Sequence, residues 1–215
     1  MTRILITGSN RGIGHALIGD ARARGWTALG SHRRAGAGAD LVFDVTDRAA
    51  LGHAARDLSG PIDILINNAG IIGPERQSPL DMDFDGFAET LAVNTMAPLA
   101  VAQAFLPHLR QSPRPRIITI SSQMAFMGYR KPDRIAYRAS KAAVNKVMQG
   151  LATDLETEGI PVVVIDPGWV ITDMGGDDAD HSAADVARGV LDLATRLTPA
   201  DTGKFFRWTG EERDF

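Results

Sequence analysis

The sequence predicts a single-domain α/β fold in which a doubly wound parallel sheet of about seven strands has helices on both faces. Two observations predict this class. Short apolar runs recur along the chain, and each is followed by a longer amphipathic stretch. Several of the runs, such as 117–120 and 162–165, are apolar at nearly every position, as strands covered on both faces are. The length of 215 residues fits one such domain, spanning 1–215.

The candidate elements alternate between strand and helix, as a parallel sheet requires. The strands are Arg3–Thr7, Thr27–His32, Leu41–Phe43, Ile62–Asn67, Arg116–Ser121, Val162–Asp166 and Lys204–Trp208. The helical patterns cover about 12–24, 47–58, 84–110, 137–158 and 182–196. Two helix ends carry local signals: Ser182 with Asp185 resembles a capping box, and Gly159 followed by Pro161 ends the fourth helix.

Composition excludes several classes of function. The net charge of −3 argues against a general nucleic-acid binder, because such domains carry a basic excess. The chain has no cysteine, which excludes disulfides, thiolate catalysis and cysteine-ligated zinc. The first strand begins at Arg3 and leaves no room for a signal peptide, and no apolar run reaches the roughly eighteen residues of a membrane span. We therefore expect a soluble cytoplasmic protein without nucleic-acid or membrane partners.

A glycine-rich loop, TGSNRGIG at Thr7–Gly14, lies between the first strand and the first helix. Gly8, Gly12 and Gly14 let the backbone turn sharply and approach a pyrophosphate, while N–H groups of the helix start point at the charge. A structural tight turn would look similar. Placement directly after the opening strand favours a dinucleotide site.

The second strand ends in GSHRR at 30–34 and contains no carboxylate. In NAD-specific sites an acid at this point bonds the ribose 2′-hydroxyl. Arg11 and Arg33 could instead converge on a 2′-phosphate through charge-assisted hydrogen bonds. The pattern predicts a preference for NADP; the alternative is that these arginines are merely solvated.

A tyrosine and a lysine four residues apart, in YRASK at Tyr137–Lys141, open a predicted helix and share one of its faces. A free tyrosine has a pKa of about 10, and a nearby cation favours the phenolate and would lower that pKa. Ser122, at the end of the strand upstream, could supply a hydroxyl to a substrate carbonyl. Such a Tyr–Lys pair is usually only surface, so it indicates chemistry only together with other motifs.

Those motifs occur in order along nearly the whole chain. They are TGSNRGIG, NNAG at Asn67–Gly70, VNTMAP around Asn94, ITISS ending at Ser122, YRASK, and DPGWVITDMGG at Asp166–Gly176. Together they make the sequence resemble the short-chain dehydrogenase/reductase family. Within it, PGWVITDMGG, AYRASKAAVN and GKFFRWTGEE are most similar to the C-factor and sniffer-type carbonyl reductases. The resemblance implies a Rossmann-like fold, NADP(H) as cofactor and a small carbonyl or alcohol substrate.

The resemblance also implies four catalytic roles. Tyr137 would donate a proton to the carbonyl oxygen during reduction. Lys141 would hold the nicotinamide ribose and lower the pKa of Tyr137. Ser122 would orient the carbonyl, and Asn94 would anchor a water linked to Lys141.

A further set of residues is implied to bind the cofactor. Asp44 and Val45 would contact the adenine, residues 68–70 the adenosine ribose, and residues 167–172 the nicotinamide, whereas Asn67 is interpreted as structural. The full set is Gly8, Asn10, Arg11, Gly12, Ile13, Gly14, His32, Arg33, Asp44, Val45, Asn68, Ala69, Gly70, Tyr137, Lys141, Pro167, Gly168, Val170 and Thr172.

Two segments bear on the substrate. Only nine residues, 173–181, separate Thr172 from the next helix, so the substrate site should be comparatively open. We therefore expect low substrate selectivity, weak substrate affinity, or a partner protein that completes the pocket. Residues 124–134 are longer and more charged than the usual link between serine and tyrosine. Their apolar members could form a substrate wall or pack under the loop: Met124, Phe126, Met127 and Tyr129. Outside these two segments, Trp169 could cover the nicotinamide pocket or be a core or interface residue.

Three further interpretations complete the prediction. The cluster of Asp177, Asp178, Asp180 and His181 is interpreted as a solvated loop, so no metal site is predicted. The helices at 84–110 and 137–158 could pair in a homodimer or merely face the sheet. An alternative to the enzyme is an NADP-binding signalling or sensor protein that acts through a protein partner. The complete set of proton-relay residues favours the enzyme.

Overall fold

The computed structural model describes residues 1–215. The strands are β1 Arg3–Thr7, β2 Thr27–His32, β3 Leu41–Val42, β4 Ile64–Asn67, β5 Gln77–Ser78, β6 Asp81–Met82, β7 Arg116–Ile120, β8 Val162–Asp166, β9 Val170–Ile171, β10 His181–Ser182, β11 Phe205–Arg207 and β12 Glu212–Arg213. The α-helices are α1 Gly12–Ala23, α2 Arg48–Asp57, α3 Phe84–Leu91, α4 Ala97–Leu109, α5 Ile135–Leu155 and α6 Ala183–Arg196. A π-helical turn, Ala92–Met96, joins α3 to α4.

The central sheet has eight strands in the order β12-β11-β8-β7-β4-β1-β2-β3. All neighbours are parallel except β11 and β12, so the predicted parallel sheet is confirmed and gains one antiparallel edge strand. β1 lies near the middle, with β2 and β3 on one side and β4, β7 and β8 on the other. The winding therefore reverses beside β1, and ligands of such sheets bind in the crevice that opens there, at the carboxyl ends of the strands.

Helices cover both faces of the sheet, as predicted. Ile4 and Ile6 of β1 face one core layer, which α1 and α6 cover, while Leu5 faces the layer covered by α2, α4 and α5. This alternation follows from the two-residue period of a strand. Because both layers are apolar, the middle of the sheet is buried on both sides and its carboxyl edge is held rigidly.

The predicted helix 84–110 is one helical run with a π-helical interruption. Phe84–Leu109 has a mean hydropathy of 1.2 in its most apolar window and is long enough to cross a membrane by length and composition alone. Phe105 and Leu109 lie in the core against the sheet, which accounts for that composition. The cytoplasmic location and the absence of membrane and nucleic-acid partners stay predictions.

Apolar residues on the helices at 84–110 and 137–158, which could pair in a homodimer or face the sheet, lie against the core. Ala102, Phe105 and Leu155 are buried in the layer beneath α4 and α5, Leu99, Val147 and Leu151 pack against that layer, and Ala97 is also buried. Their apolar character is therefore explained within one chain. A homodimer stays a prediction that these residues do not support.

The local signals at the helix ends are present in the structure. The Ser182 hydroxyl accepts a hydrogen bond from the Asp185 backbone N–H at 3.0 Å and caps α6. Gly159 has a φ of 66° and ends the short 3₁₀ turn that follows α5. The start of α5 was predicted two residues late: it begins at Ile135, after Arg134 in a left-handed conformation.

Candidate active site

A cleft of about 1380 Å³ opens at the carboxyl edge of the sheet. Ser122, Tyr137 and Lys141 line it together with the predicted cofactor residues, and only Gly14 and Asn94 of the predicted site do not. Parallel strands end at the same edge, so the loops after β1, β2, β4, β7 and β8 meet there even though they are far apart in sequence.

The glycine loop fits a phosphate group. Gly8 and Gly12 have φ values of 66° and 54°, which side chains disfavour. A Cβ on Gly14 would lie 2.4 Å from the Gly8 carbonyl oxygen, so Gly14 serves close packing rather than lining. The first turn of α1 has no side-chain cap at Arg11 and no acidic residue. Its N–H groups are therefore available to an anion.

Asn68 ties the glycine loop to the loop after β4. Its Nδ2 donates to the carbonyl oxygens of Thr7 and Gly8, at 3.0 Å each. The Thr7 hydroxyl in turn accepts from the backbone N–H groups of Asn68 and Ala69 at 3.0 and 3.1 Å. These four bonds fix two loops that both line the cleft.

The end of β2 brings two arginines and a histidine to the cleft and no carboxylate. His32, Arg33 and Arg34 all line it. Arg11 lines the cleft as well, and its Nη1 lies 3.0 Å from Asp173 Oδ2, with both side chains largely exposed; its convergence with Arg33 on a phosphate stays a prediction. Because an exposed ion pair contributes at most about 1 kcal/mol, Asp173 holds Arg11 only weakly.

Asp44, predicted to contact adenine, is held as a carboxylate. Its Oδ1 accepts from the Thr46 hydroxyl at 2.7 Å and from the Thr46 N–H at 2.9 Å. These two hydrogen bonds, and then the charge of Arg33, hold the pKa of Asp44 below its usual value. Asp44 and Val45 therefore present a fixed wall on the β2 side of the cleft.

Tyr137 and Lys141 are both buried at the bottom of the cleft. The Lys141 Nζ lies 5.7 Å from the centre of the Tyr137 ring and donates to the Ile120 carbonyl oxygen at 2.8 Å. The Ser122 Oγ accepts from the Met124 N–H at 3.1 Å, and this hydroxyl acts on the Tyr137 phenol by lowering its pKa. One phenol, one ammonium and one hydroxyl thus converge on the same end of the cleft.

The pKa of Tyr137 moves in the direction opposite to the prediction. Its pKa is raised to about 12: burial is the main cause, the Ser122 hydroxyl lowers it, the nearby charge of Asp166 adds to the rise, and the charge of Arg134 lowers it. Burial also lowers the pKa of Lys141 to about 8. Desolvation thus outweighs the groups that lower the pKa of Tyr137, and a lowering of that pKa by Lys141 stays a prediction. The phenol keeps its proton at neutral pH.

Asn94 lies on the π-helical turn and is 1% exposed. Its Oδ1 accepts from the Ile71 N–H at 2.9 Å, and its Nδ2 donates to the Ile71 carbonyl and the Ser140 hydroxyl at 2.8 and 3.0 Å. The side chain therefore fastens the loop after Gly70 to α5, and both amide hydrogens are used. π-helical turns are frequent at functional sites. The water relay through Asn94 stays a prediction.

Asp166 organises the cleft in a way that the sequence did not predict. Its Oδ1 accepts from the backbone N–H groups of Gln123 and Gly168, at 2.9 Å each, and its Oδ2 pairs with the Arg213 guanidinium. One buried carboxylate thus holds the turn after Ser122, the loop after β8 and the last strand. In the sequence Asp166 is only the first residue of the DPGWVITDMGG motif, and its partner Arg213 lies 47 residues away.

The segment after Ser122 contributes part of an apolar wall. Met124 and Tyr129 line the cleft. Phe126 packs edge-on against Tyr129, with ring centres 5.4 Å apart, and Met127 is 82% exposed. Trp169 also lines the cleft and is 44% exposed, with its Nε1 donating to the Gly175 carbonyl at 2.7 Å. Of the four residues predicted for an apolar substrate wall, Met124 and Tyr129 line the cleft, and Phe126 and Met127 do not.

The loop 173–181 contains no helical insertion, as predicted. Thr172 pairs with Gly176, and β9 pairs with β10, so the segment folds back on itself. No group of three or more His, Cys, Asp or Glu side chains is arranged to hold a metal ion. His181 packs against Trp208, with ring centres 5.2 Å apart.

Comparison with known proteins agrees with this geometry. The family model of short chain dehydrogenases matches residues 2–183. The chain belongs to the short-chain dehydrogenase family. A relative, C-signal from Myxococcus xanthus, is 41% identical over 155 residues, which cover 72% of this chain and 93% of the relative.

Two solved structures show the same fold. NADPH-bound carbonyl reductase from chicken fatty liver has a TM-score of 0.90 at 27% identity, covering 100% of this chain and 99% of the other. Carbonyl reductase Sniffer of D. melanogaster has a TM-score of 0.94 at 26% identity and covers 100% of both chains. This short-chain dehydrogenase therefore shares its complete architecture with carbonyl reductases.

Proposed function

We propose that this short-chain dehydrogenase uses NADPH to reduce a small carbonyl compound to an alcohol. The observation that carries the proposal is the convergence of Ser122, Tyr137 and Lys141 in the cleft that also contains the glycine loop. An NADPH-bound carbonyl reductase among the similar structures supports it. When bound, NADPH supplies the hydride.

The residues present fit this cofactor. The uncapped start of α1 and the glycine loop would hold the pyrophosphate, and Arg33, with Arg34 beside it, would bind the 2′-phosphate. The loop at 167–172 would hold the nicotinamide. Arg11 would join the phosphate site only by leaving Asp173, at a small cost in free energy.

The side chains of the protein supply and control the proton that the carbonyl oxygen receives. Tyr137 donates its proton to the carbonyl oxygen, and its raised pKa keeps that proton in place at neutral pH. The Ser122 hydroxyl hydrogen-bonds the same carbonyl oxygen and orients it. The Lys141 ammonium stabilises the phenolate that remains. All three side chains are largely buried, so their contact with water is small.

The proposal is tested by following NADPH oxidation with a panel of aldehydes, ketones and diones, with NADH as the alternative reductant. We expect turnover with NADPH and a broad substrate range, since the short 173–181 loop does not enclose the cleft. Tight NADPH binding without turnover on any member of the panel would contradict the proposal.

A second candidate is a signalling role through a protein partner, and the 41% identity with C-signal favours it. Trp169, Ile171 and Met174 are between 41% and 44% exposed near the mouth of the cleft and would be available to a partner. Binding of NADPH with no turnover would support this candidate, whereas turnover that depends on Tyr137 supports the reductase.

Cofactor preference should depend on Arg33. Replacing it with Ser removes a charge-assisted contact to the 2′-phosphate, so we expect the ratio of kcat/KM for NADPH over NADH to fall by about tenfold or more. Steady-state kinetics with both cofactors measure the ratio. Arg48→Ser is the matched control, because Arg48 is exposed and lies outside the cleft. An unchanged ratio in Arg33→Ser would remove Arg33 from the phosphate site.

The pH dependence of reduction should report Lys141. Its charged form stabilises the phenolate, so kcat/KM should be constant at lower pH and fall through a midpoint near pH 8, the pKa that burial gives Lys141. Tyr137, with a pKa of about 12, stays protonated through this range. The residual activity of Lys141→Met should lack this midpoint. A flat wild-type profile across pH 8 would contradict the assignment.

A further inference from the structure

Three cations line the cleft where the segment after Ser122 enters α5. They are Lys131 and Arg134, which precede α5, and Arg138 in its first turn; Met124 and Tyr129 of the same segment also line the cleft. The chain as a whole has a net charge of −3, so this concentration of positive charge is local. The proposed chemistry of Tyr137, Ser122 and Lys141 does not use it.

Only one of these cations is neutralised by the protein. The Arg138 Nη2 lies 2.9 Å from Asp133 Oδ1, and its Nε donates to the Asp133 carbonyl oxygen at 2.8 Å. Lys131 and Arg134 form no ion pair. Since Asp133 is the one carboxylate that this segment brings to the cleft, Arg134 and Lys131 remain available to an anion.

Arg134 also has an unusual backbone. Its φ of 51° is the only positive value among the non-glycine residues of the chain. The left-handed conformation is unfavourable for a residue with a Cβ, and glycine or asparagine would adopt it more easily. Such conformations cluster at functional sites. Arg134 precedes Tyr137 by three residues, and its charge reaches the phenol, whose pKa it lowers.

We propose that the carbonyl substrate carries a carboxylate, which pairs with the Arg134 guanidinium and is assisted by Lys131. This inference rests on the proposed reductase function and adds a substrate class, the oxo acids. A guanidinium binds a carboxylate through two parallel hydrogen bonds, which would fix the substrate with its carbonyl toward Tyr137 and Ser122. Met124 and Tyr129 would contact the apolar part between the two groups.

The test compares an oxo acid with its neutral methyl ester as substrates, using wild type and two variants. Arg134→Asn removes the charge and suits the left-handed backbone. Arg130→Asn is the matched control, because Arg130 is exposed on the same segment and does not line the cleft. The readout is the ratio of kcat/KM for the acid over the ester, measured with saturating NADPH.

We expect wild type and Arg130→Asn to prefer the acid, and Arg134→Asn to lose about tenfold of that preference through KM. Arg134→Lys should keep part of it, and thermal unfolding shows whether each variant is folded. Equal use of acid and ester by wild type, or a preference that survives in Arg134→Asn, would overturn the inference while leaving the reductase intact. Turnover of neither compound, nor of any carbonyl on the panel, would overturn both proposals.

Discussion

Replacing Tyr137 with Phe is expected to lower kcat for carbonyl reduction by roughly 10³-fold, because the phenol is the proposed general acid. Tyr137 lines the cleft together with Ser122, and Lys141, whose Nζ lies 5.7 Å from the centre of the Tyr137 ring, is the cation beside it. Stopped-flow or steady-state measurement of NADPH oxidation gives kcat.

Cofactor binding and folding should change little in Tyr137→Phe. The ring stays in place, and the hydrogen bond from the Tyr137 backbone N–H to Gln77 Oε1, at 3.1 Å, does not involve the phenol. NADPH affinity, measured by fluorescence titration, should therefore remain within about threefold of wild type. A loss of NADPH binding equal to the loss of turnover would mean that the variant has disturbed the cleft rather than removed an acid.

The chain offers a matched control for this experiment. It contains two tyrosines, and the second, Tyr129, lines the same cleft. Tyr129→Phe removes a phenol hydroxyl and keeps the ring, so it should retain most of the turnover. Comparable activity in Tyr137→Phe and Tyr129→Phe would contradict the assignment of Tyr137.

The sheet was predictable because its strands carry their own signals. β1, β4, β7 and β8 are apolar runs that are buried on both faces, and their order along the chain fixes the winding. β12 was missed because Glu212 and Arg213 have no apolar pattern, and the strand forms only by pairing with β11. The π-helical turn at Ala92–Met96 was missed for a similar reason, since its apolar sequence also suits an uninterrupted helix.

The location of the candidate site could be predicted from the sequence, but its pKa shifts and its hydrogen-bond network could not. Glycine spacing and strand ends place Gly8 and Tyr137 at one edge of the sheet. The direction of the Tyr137 pKa shift depends on burial by the whole fold, which no short motif reports. Sequence also gave no hint that the Asn94 amide would be used by Ile71 and Ser140, because that network joins three separate segments.

The buried pair of Asp166 and Arg213 should contribute strongly to stability. Both side chains are at least 87% buried, and the Asp166 carboxylate also accepts two backbone N–H groups from loops of the cleft. Replacing Arg213 with Met would leave this charge buried without its cation. We expect the free energy of unfolding to fall by about 3 kcal/mol, which corresponds to a Tm lower by roughly 10 °C.

Two further variants separate the charge from the packing. Arg207→Met removes an exposed arginine from the neighbouring strand, where Arg207 pairs with Glu211 at 3.6 Å, and should change stability by less than about 1 kcal/mol. Adding Asp166→Asn to Arg213→Met removes the unpaired charge and keeps an oxygen for the Gln123 and Gly168 N–H groups, so it should recover part of the lost stability. If the double variant is no more stable than Arg213→Met, the loss comes from the contact of Arg213 with the Phe205 ring, 5.0 Å away, and not from the carboxylate. If it recovers, the loss in Arg213→Met comes from leaving the Asp166 carboxylate buried without its cation.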